Sequence, residues 1–589
     1  MDPTSASGLA VGVVSLTFQV FAGCIKGFVL LSTAHNLGKD SSTLICMLNL
    51  QELRLTEWAK CAGLLSEEGR LNRRLNEIAV NTTLTELQNL LLDTEKLKTR
   101  YKLDLTSKIP EGQNQVNNNF PAVTESILSQ AVPDQVRGDI MYRARLTQSR
   151  NSFPQRLWWA SVDKARLEGL VAKIKSFIQE LWYLLDAIRQ DDMSQTLQVI
   201  LSQLIGMSGK VDELTTLREA LLMFTDPGLP TLNSPSKSLA SAADIKTVSI
   251  NPGAAIHGAR PTDTASTDSH SHLTSWSRVP TRDTKLIKQY TPIKGNSDIG
   301  IATYQDRSVF IEWKILPHQF KSKIIERTTD LANVLSTPKH PDFCSLQCTG
   351  LARDNDGSKI AFIFDVPSLV TPQLPRSLRN LFGLNPSVTE RVQLALQITQ
   401  SVKYFHTAGW LHKNLRSENI LFWPVDASIS PLSRPVLVGF AFSRQDSPSQ
   451  ISEQPSSNPN RDIYRHPEAM GEPSISFSAA KDIYALGTIL LEIGEWHSLK
   501  TLAKNVVDLN RQDISLDQLA KVRPFLLDEG PKGGLWMLKY RMGDIYARVT
   551  QMMLSGEVPE TPEVWKGDGV TFRPNLLDIA TSELRRCVI

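Results

Sequence analysis

Between Asp226 and Thr284 the chain changes character. Apolar periodicity stops, and Pro-Gly-Leu-Pro, Asn-Ser-Pro-Ser and Thr-Asp-Thr-Ala-Ser-Thr-Asp-Ser-His-Ser-His follow one another. Turn formers and small polar residues bury too little apolar surface to fold alone, so 226–284 reads as a disordered Ser/Thr/Pro-rich linker. That break divides 589 residues into two parts, each of which must build its own core. His270 and His272 lie in the linker, where two imidazoles fall short of the three or four convergent ligands that a metal requires.

Residues 1–225 carry helical periodicity and no strand-like alternation, which predicts an all-α bundle. Candidate helices run over Ser7–Thr33, Ser41–Leu64, Glu67–Leu103, Trp158–Arg189 and Ser194–Met223, with a polar loop over Thr106–Asp134. In the fourth, Leu167, Leu170, Val171, Ile174, Phe177, Ile178 and Leu181 recur at spacings of three and four and form one buried stripe. The first helix differs. Leu9, Val13, Leu16, Val20 and Cys24 line one face and Val14, Phe18, Phe21, Ile25 and Phe28 another, so it is apolar nearly all round. Such a helix belongs at a bundle centre or at a membrane. Gly8–Leu31 is long enough to span a bilayer, but Gln19 and Lys26 interrupt it. A lysine at the bilayer centre costs roughly 2.5 to 3.5 kcal/mol, which argues against permanent anchoring. A signal peptide is not expected either, for want of a basic leading region and a small-residue cleavage site.

Charge and cysteine content narrow the class. With 64 basic and 61 acidic residues the net charge is +3, which gives no electrostatic footprint for nucleic acid. Six cysteines without a C-x-x-C pair predict reduced thiols in a cytoplasmic protein. The terminal Arg586-Cys587-Val-Ile589 is one residue short of a prenylation signal.

The second part carries ordered motifs. Trp410-Leu-His412-Lys413-Asn414-Leu-Arg-Ser-Glu-Asn419 follows the spacing H-R-D-L-x-x-x-N without a gap and resembles the catalytic loop of a protein kinase. Upstream, Ser308-Val-Phe-Ile-Glu-Trp-Lys314 resembles the strand whose lysine holds nucleotide phosphates, with Glu326 as that lysine's implied partner. Downstream, Gly439-Phe440-Ala441 stands at D-F-G, His466-Pro-Glu468 at A-P-E, and Asp482-Ile-Tyr-Ala-Leu-Gly487 at the helix beneath the loop. The resemblance implies a bilobal α+β kinase-like fold over 285–589, with the lobes at about 285–368 and 369–589. It also implies that His412, Lys413, Phe440, Ala441, Glu468, Asp482 and Gly487 act as structural motif residues.

Three chemical groups depart from that pattern. Asn414 replaces the catalytic acid and has no basic site at neutral pH, where a positioned base is worth roughly 10² to 10⁴ in rate. Gly439 replaces the carboxylate that would chelate Mg²⁺, leaving Asn419 as a weak metal candidate with one neutral oxygen. Lys294-Gly295-Asn-Ser-Asp-Ile-Gly300 lacks a full phosphate-cradling glycine pattern. The expectation is a pseudokinase in which Lys314, Glu326 and Asn419 are the nucleotide-binding candidates. If ATP binds, its Mg²⁺ dependence is weak or absent.

The first part resembles the fungal HeLo domain, a helical module of prion inhibition and propagation. Gly8-Leu-Ala-Val-Gly-Val-Val-Ser-Leu-Thr-Phe-Gln-Val-Phe-Ala-Gly-Cys24, Leu50-Gln-Glu-Leu-Arg-Leu-Thr-Glu-Trp-Ala59 and Trp159-Ala-Ser-Val-Asp-Lys164 carry the likeness. It implies a first helix released toward membranes on activation, with Val13, Val14, Phe18, Phe21, Ile25 and Phe28 inserting, and a role in heterokaryon incompatibility and programmed cell death. It further implies a protein partner or self-oligomer through the bundle. Two rival readings stay open. One is an active Ser/Thr kinase using Lys314, Asn419 and an acid such as Glu418 or Asp426, with the bundle as a targeting domain; the other is a non-enzymatic scaffold.

Overall fold

The computed structural model describes residues 15–32, 42–66, 70–101, 103–105, 132, 134–147, 157–159, 164–223, 230–251, 279–316, 321–354, 357–367, 374–424, 430–447, 458–471, 476–511, 514–531, 533–559, 565–567 and 570–587. Two compact units result. One comprises Met1–Leu204, Thr216–Ser236 and Glu563–Arg573; the other comprises Ile205–Thr215, Lys237–Pro562 and Pro574–Ile589.

The first unit is the helical bundle: α1 (Leu16–Ser32), α2 (Ser42–Cys61), α3 (Glu77–Leu92), α4 (Thr94–Tyr101), α5 (Asp134–Thr147), α6 (Lys164–Tyr183), α7 (Ala187–Met207) as far as Leu204, and α8 (Val211–Met223) from Thr216 on. Phe18, Phe21, Ile25 and Phe28 of α1 are all buried, as a core helix requires, whereas Val13 and Val14 lie outside the described residues. Gly23 and Gly27 set the approach of α1 to α3, because a Cβ at Gly27 would stand 2.5 Å from the Leu91 Cβ. Helix α2 runs through the middle of the bundle and buries its polar residues with partners. Glu52 takes a two-pronged ion pair from Arg137 at 2.7 and 2.8 Å, Arg54 donates to Gln179 at 3.0 Å, and the Trp58 indole donates to the Leu181 carbonyl at 2.8 Å. These pairings let charged side chains sit in a core that would otherwise reject them.

Several sequence expectations need correction here. The third expected helix is two, because the chain turns at Asp93 between α3 and α4. The bundle is not purely α. Strand β1 (Leu103–Leu105) pairs antiparallel with β2 (Leu157–Trp159), so the residues placed at adjoining helix ends are extended. Within the α6 stripe all but the half-buried Phe177 are buried. Of the expected loop Thr106–Asp134, only Val132 and Asp134 are among the described residues, and Asp134 opens α5.

The linker expectation fails over Pro230–Ile250, which forms helix α9. Its buried face mixes Ala240, Ala242 and Ala243 with Leu239, Ile245 and Val248, and serines beside them are hydrogen bonded. Ser238 donates to Asp342 at 2.7 Å, and Ser241 accepts from the His340 amide at 3.1 Å. Ser- and Ala-rich composition imitates a linker whenever the partner surface that buries it is distant in sequence. Residues 252–278 lie outside the described set.

The second unit has a six-stranded sheet in the order β3-β7-β8-β6-β5-β4, formed by β3 (Thr281–Asp283), β4 (Ile287–Ile293), β5 (Asn296–Tyr304), β6 (Arg307–Ile315), β7 (Cys348–Arg353) and β8 (Lys359–Asp365). Helix α10 (Lys321–Ser336) follows β6. A mostly helical lobe comes next, led by α11 (Val388–Thr407), whose Ser387 and Glu390 form a capping box. The turn-like α12 (Pro459–Asp462) and the buried α13 (Ala479–Glu495) complete the part that positions the site.

Candidate functional site

Strand period decides what β6 offers the cleft between the lobes. Val309 and Ile311 point into the sheet's apolar core, so Glu312 and Lys314 lie two residues apart on the opposite face. Both are buried, at 2 % exposure each. Lys314 Nζ donates to the Ala441 carbonyl at 2.6 Å and lies 5.8 Å from the Phe442 ring centroid. Burial, aided by the nearby Arg327 guanidinium and opposed by Glu312, pushes its ammonium down to about 7. Glu326 does not supply the expected counter-charge, since it is exposed on α10. One helix position further on, Arg327 faces Lys314 with like charge, and the carboxylate beside Lys314 is Glu312. Burial raises the Glu312 pKa, against the amides of Ala441, Gly439 and Phe440, which favour its anion.

Glu312 takes up the 439–441 segment. Its Oε2 accepts from the Gly439 amide at 3.0 Å and its Oε1 from the Ala441 amide at 2.5 Å. Gly439 sits at φ +90, ψ 31. A Cβ there would stand 2.3 Å from Asn419 Nδ2 and 3.0 Å from Asn414 Nδ2. The two asparagines close this corner among themselves. Asn414 Nδ2 donates to the Gly439 carbonyl at 3.2 Å, and Asn419 Nδ2 donates to the Asn414 carbonyl at 2.8 Å. Asn419 Oδ1, the atom a cation would need, accepts from Arg416 Nη2 and from Asn296 Nδ2, each at 3.3 Å.

Below the loop, Asp482 is fully buried and accepts from the His412 amide at 2.6 Å, the Lys413 amide at 2.8 Å and the His406 ring at 3.1 Å. Burial alone would raise its pKa; the His406 hydrogen bond and charge outweigh it and hold the carboxyl below its ordinary range. His412 is buried against Phe440, ring centroids 4.6 Å apart, and burial lowers it to about 4, so it is neutral. Lys413 adopts φ +65, and burial beside Arg444 and Arg327 lowers its ammonium to about 7. Gly487 lets α13 pack closely, since a Cβ there would meet Met553 at 2.9 Å. Glu468, where the motif implies an anchor, is exposed, with His466 at 3.8 Å and the Lys481 charge of α13 near it among the described residues. Tyr464 and Ser417 meet instead on the buried Glu492, at 2.7 and 3.2 Å.

The hairpin between β4 and β5 turns at Lys294 and Gly295, the glycine at φ +91. Its next residue, Asn296, is buried and reaches Asn419. Asp298 pairs with Arg461 of α12 at 2.8 Å. Only glycine fits at 300, where a Cβ would stand 2.4 Å from the Thr291 carbonyl oxygen and 2.7 Å from the Tyr290 ring. The residues present therefore do not offer magnesium the donor set of the resembled family. The carboxylate position is a crowded glycine, the remaining amide oxygen faces two donors, and the loop that should cover phosphates is folded onto the catalytic loop. Among the described residues no three His, Cys, Asp or Glu side chains converge as a metal site. Of the rival acids, Glu418 is paired with Arg379 at 2.5 Å, and Asp426 lies outside the described residues.

Glu312, Asn296 and Asp298 were not singled out from sequence. Glu312 had a signal, since period two places it on the face of Lys314; the others are brought in by long-range folding.

A strand-rich lobe and a helical lobe meeting at a His-Lys-Asn loop above a buried helix aspartate define a protein kinase-like fold, accompanied by a separate helical bundle. A family model described as protein tyrosine and serine/threonine kinase matches residues 300–513, and the HeLo model, described as prion-inhibition and propagation, matches residues 8–217. A serine/threonine-protein kinase-like protein of Arabidopsis thaliana is 27% identical over 134 residues, 22% of this chain and 33% of that relative, so the likeness spans a third of the relative's length. The chain is a HeLo-domain protein with a C-terminal protein kinase-like domain, a signalling architecture. Among the described residues no helix is long and apolar enough to cross a membrane.

Proposed function

We propose that this protein is a signalling switch of the regulated cell-death and incompatibility type, in which a catalytically impaired kinase-like domain restrains a membrane-active HeLo bundle. The observation that carries the reading is Gly439, enclosed by Asn419 and Asn414 at the position where phosphoryl transfer needs a metal-bound carboxylate. Without that carboxylate and without a base at 414, the domain keeps the kinase architecture but lacks the groups that stabilise transferred phosphate.

The bundle supplies the output. Four buried side chains of α1, Phe18, Phe21, Ile25 and Phe28, contribute roughly 1.5 to 3 kcal/mol each when removed from water. Releasing α1 into water therefore costs on the order of 10 kcal/mol, which a membrane or a second copy of the bundle would return. A restraint needs to shift that balance by only about 5.5 kcal/mol to move a population from 1:99 to 99:1. The working form is cytoplasmic, and it joins membranes or self-associates on activation.

Dye-loaded vesicles test the output. Leakage caused by residues 1–225 and suppressed in the full chain supports restraint. No leakage by either, with specific partner capture retained, would favour a scaffold.

A further inference from the structure

Tip residues of the β4–β5 hairpin make polar contacts with three separate segments of the helical lobe. Asn380 Nδ2 donates to the Lys294 carbonyl at 3.4 Å, Asn296 Nδ2 donates to Asn419 Oδ1 at 3.3 Å, and Arg461 Nη2 donates to Asp298 Oδ2 at 2.8 Å. Asn296 also organises the tip itself, its Oδ1 accepting from the Asp298 amide at 3.2 Å. A loop that covers phosphates in a nucleotide-binding kinase must stand off the catalytic loop by the depth of those phosphates. Here it stands at hydrogen-bond distance. The opposite wall is satisfied as well, with Glu312 holding the amides of Gly439 and Ala441 and Lys314 holding the Ala441 carbonyl.

We propose that the hairpin tip, Lys294 to Asp298, is the cleft's own ligand: Asn296 occupies the place of nucleotide phosphate and metal, and the Asp298–Arg461 pair latches the lobes shut without nucleotide. This rests on the non-catalytic reading of the domain and goes beyond it, because a pseudokinase can lack chemistry and still bind ATP. The latch is the adjustable part. Asp298 and Arg461 keep 38% and 23% of their side-chain surface exposed, whereas Asn296 and Asn419 are buried. Arg461 also lies between Gly439 and Glu468, in the stretch that switches kinase-like folds, so whatever repositions that stretch releases the tip.

Hydrogen exchange of amides 293–299 in the full-length protein tests this, with Asp298→Arg, Arg461→Asp and the double reversal compared in the absence and presence of millimolar ATP, with and without Mg²⁺. Each single reversal should speed exchange at the tip about three- to fivefold, the scale of one partly exposed ion pair, with α13 amides unchanged. The double reversal should restore protection to within about twofold, and ATP should leave the wild-type tip unchanged. Unchanged tip exchange in both single variants overturns the latch. Protection of the wild-type tip by ATP without phosphotransfer overturns the self-filled cleft and leaves the pseudokinase reading standing. Phosphotransfer that depends on Lys314 overturns both.

Discussion

Restoring the missing metal carboxylate should damage this protein without awakening it. Gly439→Asp places a Cβ 2.3 Å from Asn419 Nδ2, 2.7 Å from Asn419 Cγ and 3.0 Å from Asn414 Nδ2. Backbone strain is the smaller part. At φ +90, ψ 31 the residue is left-handed, which aspartate tolerates better than most, at about 1 kcal/mol. Overpacking a filled corner adds about 1 to 3 kcal/mol. Asn419 can move aside only by giving up its bonds with Asn414, Arg416 and Asn296, at about 1 kcal/mol each. The sum is on the order of 2 to 7 kcal/mol of local stability, the upper end if Asn419 gives up all three bonds. Native-state hydrogen exchange over amides 410–441 reads it as opening from roughly 30-fold to about 10⁵-fold faster. Addition of Mg²⁺–ATP should not reverse the loss. A Gly439→Asp protein with unchanged exchange that is then protected by Mg²⁺–ATP would show that the corner is open to metal and that the packing argument is wrong.

Glu312→Ala should destabilise the kinase-like domain by roughly 2 to 5 kcal/mol, because it leaves two buried amides without their acceptor, whereas exposed Glu326→Ala should stay within about 0.5 kcal/mol; thermal unfolding of the two variants side by side checks the contrast. Burial, with the Glu418 charge second, raises Glu492 from 4.5 to about 8. The stability it contributes is therefore complete below pH 4.5 and is lost as pH rises through about 8. Glu492→Gln can still accept from Tyr464, Ser417 and the Leu499 amide, so its denaturant midpoint should fall less between pH 5 and 8 than that of the wild type. The full difference is bounded at roughly 5 kcal/mol. Gly27→Val drives a side chain into Leu91, 2.5 Å from its Cβ. It should loosen α1 by about 1 to 3 kcal/mol and raise vesicle leakage by the full-length protein.

How much of this was legible in the sequence depends on the range of the interaction involved. The catalytic-loop register is local, so the kinase resemblance could place His412, Asn414 and Asn419 on one loop, and folding brings Asp482 onto the His412 and Lys413 amides. The α6 stripe was equally readable, since 3.6-residue periodicity is a property of one helix. Glu326 shows where spacing fails: a motif fixes a position along α10 but not the rotation of the helix, and the structure turns Arg327 to the cleft instead. Helix α9 escaped because its few large apolar residues, Leu239, Ile245 and Val248, are diluted by alanines and serines, and the serines' partners, His340 and Asp342, lie about a hundred residues away. The contacts of the hairpin tip, a segment the glycine pattern had marked, escaped for the same reason. Asn296 carries no signal until folding brings Asn419 to it.

Phosphotransfer from labelled ATP by the full-length protein, with Mg²⁺ and then Mn²⁺, beside Lys314→Met and Asn414→Asp, tests the central claim most directly. The account predicts no incorporation above background in any of the three, with the fold intact by circular dichroism. Incorporation by the wild type that is lost in Lys314→Met would contradict it and make the domain a working kinase.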